Sequence, residues 1–218
     1  MTEQNISIRT PDGLRLEGTL DAPVRPPPWP GVVLAHPHPW YGGSMHVPLV
    51  RAIAAALARR GLAVLRFNFR GVGRSEGRFH PDERAVQDVA AAVEALLALP
   101  QVDAGRCALA GYSFGAWVGL RHFAQDTRLR AFAAVGMPLW DQSPAWFRGD
   151  GRPRLFVTGS LDDISPPDAL RSLLVGAEEA QLEVLDGADH LYAPPHQRAV
   201  AERIARFLSD VLSQEECP

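Results

Sequence analysis

From Gly31 onward the chain alternates short, almost continuously apolar runs with longer segments whose apolar residues recur at helical spacing. The runs are GVVLAHP, LAVLRFNF, RCALAGY, LRAFAAVG, RPRLFVTG and LEVLDG. A strand that is apolar on both sides must be covered on both faces, and helices crossing between parallel strands supply that cover. The helical patterns fall in the gaps: VPLVRAIAAALARRG, PDERAVQDVAAAVEALLALP from near Pro81, FGAWVGLRHFAQ, PPDALRSLLVG and PPHQRAVAERIARFLSDVL. The alternation predicts an α/β fold with a mostly parallel central sheet and helices on both faces. Ahead of it, ISIRT and LRLEGTLD read as an antiparallel hairpin turning at Pro11-Asp12-Gly13. The segment APVRPPPWPG reads as a stiff connector, neither helix nor interior strand. No internal repeat or domain-scale linker interrupts the 218 residues, so one domain over 1–218 is expected.

Formal net charge is -3 and every basic side chain is arginine, so no strong field draws the chain to nucleic acid or an anionic membrane. The N-terminus MTEQNISIRT is polar, with no apolar core of a secretory signal. No apolar run approaches the ~20 residues of a membrane span. Cys107 lies in the apolar run CALAG and Cys217 near the C-terminus, which suggests no disulfide framework. These features predict a cytoplasmic protein with no nucleic-acid or membrane partner; they leave its oligomeric state open.

The chemistry centres on Gly111-Tyr112-Ser113-Phe114-Gly115, which closes an apolar strand and opens a helix. A G-x-S-x-G pentapeptide in that setting is a nucleophile elbow: a tight turn holds the serine oxygen clear of the backbone. The flanking glycines avoid collisions where strand and helix converge. The helix N-terminus then faces a developing oxyanion, with Phe114 N–H as the first donor. On these residues the chain resembles the α/β-hydrolase superfamily.

That resemblance implies partners in the chain order serine, acid, histidine. Of the downstream histidines, His122 lies two turns along the helix that Ser113 opens, and His196 begins the last helix as a surface residue. His190, in GADH after the last apolar strand, resembles the family's histidine loop and is the expected base. The acid should follow the preceding strand, where Asp162 and Asp163 stand together. The family pattern of glycine, two residues, aspartate and a later proline fits Gly159, Asp162 and Pro166, and so favours Asp162. Asp163 is then expected at the turn into the helix, and Asp189 in solvent.

The resemblance also places the second oxyanion donor in His36-Pro37-His38-Pro39-Trp40-Tyr41-Gly42-Gly43-Ser44. There His38 takes the donor place, since neither flanking proline has an N–H, and Trp40 is the fallback. His36 is expected to organise the loop from within. A zinc site on His36 and His38 lacks a third ligand nearby, so no metal is expected. The glycine run Arg70-Gly71-Val72-Gly73-Arg74-Ser75-Glu76-Gly77 superficially suggests a dinucleotide site, but RFHP separates it from the next helix. It resembles instead a structural D-x-R-G-x-G-x-S loop of the family, with Asn68 in the aspartate place. No cofactor is expected.

Together HPHPWYGGSM, FNFRGVGRSEG and GYSFG resemble small bacterial serine hydrolases near the dienelactone-hydrolase and carboxylesterase branches. Dienelactone hydrolases carry cysteine at the elbow, so lactone specificity does not transfer. The resemblance implies hydrolysis of a small or medium carboxylic ester through Ser113, His190 and Asp162 and an acyl-enzyme. A peptidase or acyltransferase with the same triad, or a non-catalytic binding module on the fold, are the alternatives. The interval GMPLWDQSPAWFRGDGRP has only the length of a connector, so no lid domain is expected. An open site walled by Trp40, Tyr41, Tyr112, Trp140, Trp146 and Tyr192 is the corresponding expectation.

Overall fold

The structure is a computed structural model that describes residues 2–140 and 151–213. The first two strands, β1 (Thr2–Arg9) and β2 (Arg15–Ala22), form the expected antiparallel hairpin. There follow β3 (Trp29–Ala35), α1 (Pro48–Arg59), β4 (Ala63–Phe67), α2 (Glu83–Leu97), β5 (Val102–Tyr112) and α3 (Phe114–Phe123). After these come β6 (Leu129–Val135), β7 (Arg154–Gly159), α4 (Pro167–Leu173), β8 (Ala180–Leu185) and α5 (His196–Ser213). The eight strands form one sheet in the order β1-β2-β4-β3-β5-β6-β7-β8. All pairings from β4 to β8 are parallel, while β2 meets β4 antiparallel.

Side chains alternate across this sheet, and both sets are apolar. On β4, Leu65 and Phe67 join the core beneath α2 and α3, while Val64 joins the core beneath α1 and α5. On β5, Cys107 and Leu109 face the first core, and Ala108 and Ala110 the second. That two-sided burial is why the strands read as continuous apolar runs. Burial in the first core pushes the Cys107 thiol up to about 12, so it stays a protonated packing group.

Two local expectations need correction. Trp29 and Pro30 belong to β3, a central strand, rather than to the connector before it. Proline is tolerated there because pairing with β5 jumps from Trp29↔Val102 to Gly31↔Cys107, and pairing with β4 starts only at Gly31. At Pro30 the ladder therefore asks for no N–H. Helix α2 begins at Glu83 rather than near Pro81, because the Asp82 carboxylate accepts the Arg84 N–H at 3.0 Å and caps it. Among the described residues, no helix is long and apolar enough to cross a membrane.

Candidate active site

Ser113 sits between β5 and α3 with φ 52° and ψ -121°, a left-handed backbone that side-chain-bearing residues rarely adopt. The turn is held there by close approach. A Cβ on Gly115 would lie 2.4 Å from the Ala35 carbonyl oxygen at the end of β3, so only glycine lets the helix start this near the sheet. The Ser113 N–H donates to the Val135 carbonyl at 2.8 Å, tying the turn to β6 as well.

Two loops from the same sheet edge reach this serine. His190, after β8, places Nε2 3.0 Å from Ser113 Oγ. Its Nδ1 lies 3.0 Å from each carboxylate oxygen of Asp162, which follows β7. With Nδ1–H aimed at the carboxylate, Nε2 is left as the acceptor that faces the hydroxyl. Asp162 is buried, and its Oδ1 accepts the N–H groups of Ile164 at 3.0 Å and Ser165 at 2.8 Å. Those donors compensate the burial of an anion. Sequence reasoning gave the turn to Asp163 instead, but Asp163 is exposed and Asp162 itself collects the free N–H groups. Asp189 is exposed as expected and accepts the Leu191 N–H at 3.0 Å.

The loop after β3 closes the other side. His36 is fully buried; its Nδ1–H donates to the Pro37 carbonyl at 2.7 Å, and its Nε2 accepts the Phe69 N–H at 3.2 Å. Burial pushes this imidazole down to about 3, so it is neutral, with both ring nitrogens committed to the main chain. It is unsuited to zinc. Asn68 Oδ1 accepts the Met45 N–H at 2.8 Å and pins the far end of the loop. At the bend, a Cβ on Gly43 would fall 2.0 Å from the Pro37 carbonyl oxygen. His38 Nδ1 accepts the Trp40 N–H at 3.2 Å. Among the described residues, the N–H groups of His38 and Phe114 have no acceptor. His38 lines the same cleft as Ser113, and Phe114 follows Ser113 in the chain.

The glycine run is tied to the hairpin. Glu17 Oε2 accepts from Asn68 Nδ2 at 2.8 Å and from the Arg74 N–H at 2.9 Å. Ser75 Oγ donates to the Asn68 carbonyl at 2.7 Å and accepts the Glu17 N–H at 2.9 Å. Helix α2 starts at Glu83, beyond the last of these glycines, so its N-terminus is not built from the glycine run.

A cleft of about 460 Å³ opens over Ser113, with Tyr41, Tyr112 and Trp140 in its lining. Two of the expected wall residues lie elsewhere. Trp40 turns its ring edge-on to Phe79 and lines a neighbouring hollow. Tyr192 is buried behind Asp162, its hydroxyl 3.4 Å from Asp162 Oδ2. Trp146 lies outside the described residues. Sequence reasoning missed Ile164 and Leu191, which line the cleft from the loops carrying Asp162 and His190. Their adjacency to those residues was the available signal.

This sheet, elbow and pair of loops define an α/β hydrolase. The model of the "Alpha/beta hydrolase domain" family matches residues 30–212, and the chain belongs to that family. A serine hydrolase homologue from Coxiella burnetii superposes with TM-score 0.82 at 28% identity, over 95% of this chain and 98% of that one. A serine hydrolase without lid from Xanthomonas campestris gives TM-score 0.75 at 28% identity, covering 97% and 92%. An uncharacterized protein of Rickettsia prowazekii is 29% identical, covering 95% of this chain and 87% of the relative.

Proposed function

We propose that this hydrolase cleaves a small or medium carboxylic ester by two-step acyl transfer. The observation that carries the reading is the unbroken relay from Ser113 Oγ to His190 Nε2 and from His190 Nδ1 to Asp162, each link 3.0 Å. Ser113 attacks the acyl carbonyl as its proton passes to His190, and Asp162 orients the ring and stabilises the imidazolium. The N–H groups of Phe114 and His38 receive the oxyanion. Each such donor is worth about 3–4 kcal/mol of transition-state stabilisation in comparable sites. His190 then protonates the leaving alcohol, and water activated by the same base releases the acid.

The elbow serine and an apolar cleft support ester hydrolysis. The same proposal takes the chain as one domain over 1–218, in the cytoplasm, acting on a small-molecule acyl substrate without metal or organic cofactor. A fluorophosphonate probe tests the nucleophile: it should form an adduct on Ser113 and none on the Ser113→Ala variant. A panel of nitrophenyl esters should be turned over by the first protein only. Absence of both adduct and turnover in the unaltered protein overturns the reading.

A further inference from the structure

Among the described residues, four of the eight exposed large apolar side chains gather at one place. Tyr41 (85% exposed), Trp140 (47%), Ile164 (40%) and Leu191 (73%) all line the cleft above Ser113. Single exposed apolar residues are ordinary, whereas several around one concavity mark a binding surface. Val47 and Leu49 carry the apolar lining inward. The volume suits a small molecule rather than a polypeptide segment.

Two of these residues lie on the loops that carry the acid and the base. Ile164 N–H donates to Asp162 Oδ1, and Leu191 directly follows His190, its N–H on Asp189 Oδ1. Both side chains line the same cleft as Ser113 and His190. Among the described residues, the cleft lining holds no arginine and no carboxylate. Burial holds the His38 imidazole below its usual range, so at neutral pH it offers no positive charge. An anionic substituent lying against Tyr41, Trp140, Ile164 and Leu191 would exchange its hydration for an apolar wall with, among the described residues, no arginine to meet it.

We propose that the substrate is a neutral ester whose apolar parts lie against this rim, and that Ile164 and Leu191 set the preference. The enzyme then rejects esters bearing a carboxylate a few bonds from the scissile carbonyl. This inference rests on the ester-hydrolase reading, and the two fail in different ways.

The full chain is assayed with 4-nitrophenyl hexanoate and with 4-nitrophenyl hydrogen adipate, which puts a carboxylate at the end of an acyl chain of equal length. After subtraction of spontaneous hydrolysis, kcat/KM should favour hexanoate by about 30-fold or more. Comparable values for the two esters overturn the inference while leaving the hydrolase reading intact. Ile164→Arg and Leu191→Arg should each narrow the ratio by raising the adipate rate, with rates normalised to Ser113 labelling and folding checked by thermal melts. A ratio unchanged in both folded variants removes those two residues from the assignment. Neither ester turned over, with no label on Ser113, sinks the function itself and this inference with it.

Discussion

The hydroxyl of Tyr112, the residue immediately before the elbow serine, donates to the carbonyl of His190 at 2.8 Å. One side chain thus braces the turn at Ser113 against the loop that carries His190. Removing only that hydroxyl, in Tyr112→Phe, should lower kcat about 3- to 10-fold, the worth of one such bond. The rate of fluorophosphonate labelling should fall in parallel, because both need His190 in place. A variant that melts earlier but keeps kcat would show that the bond serves stability alone.

Asp162 and Asp163 are neighbours with different tasks in this proposal. Asp162→Asn should cut kcat by about 10⁴, since an amide cannot hold the imidazole proton on Nδ1 in the same way. Asp163→Asn, at an exposed position, should stay within about twofold. Steady-state kinetics of the two variants decide between them; a larger loss at position 163 would reverse the assignment.

Gly43→Ala probes the loop after β3. The added methyl would collide with the Pro37 carbonyl and must push that loop, and the His38 N–H with it, away from Ser113. The expected result is a fall in kcat of about 10²–10³ with smaller change in KM, as for loss of one oxyanion donor. Unchanged kcat in a folded variant would remove His38 from the oxyanion site.

His36 ties stability to acidity. Its folded pKa is about 3 against 6.5 for an ordinary imidazole, because burial disfavours the cation. Between those values the unfolded chain binds a proton that the folded chain does not, so stability rises with pH across the window. The contribution is complete above 6.5 and is lost as pH falls toward 3, by up to about 1.4 kcal/mol per pH unit. Urea unfolding of the protein and of His36→Gln across this window should show a shallower dependence in the variant, whatever its stability at pH 7. Equal slopes would mean that His36 titrates near its ordinary value in the fold.

Much of this architecture could be read in advance because two-sided burial writes itself into composition. Strands such as AVLRF on β4 and RLFVTG on β7 are recognisable without any partner in view. The elbow was equally open to reading, since its chemistry requires glycine at set distances from serine. Other features depended on contacts between remote segments. Pro30 lies inside a central strand only because β5 shifts register opposite it. Trp40 and Tyr41 are adjacent in sequence, yet only Tyr41 lines the cleft, while Trp40 packs edge-on to Phe79 and lines the neighbouring hollow. Tyr192 reads in sequence as a wall residue and is instead buried behind Asp162, on a backbone with φ 48°. Periodicity says which face of a regular element is apolar; it is silent on loop direction, and loops compose most of this site.

The bent backbone at position 113 is set by where the ends of three strands pass one another, and by a glycine at 115 with no room for a methyl. None of those constraints involves the oxygen atom itself. The scaffold therefore supplies an address, and whichever atom occupies it inherits the imidazole and the free amides around it. Reactivity in such a protein is interchangeable at a single atom, while the location of reactivity is spread over the whole sheet and changes far less readily.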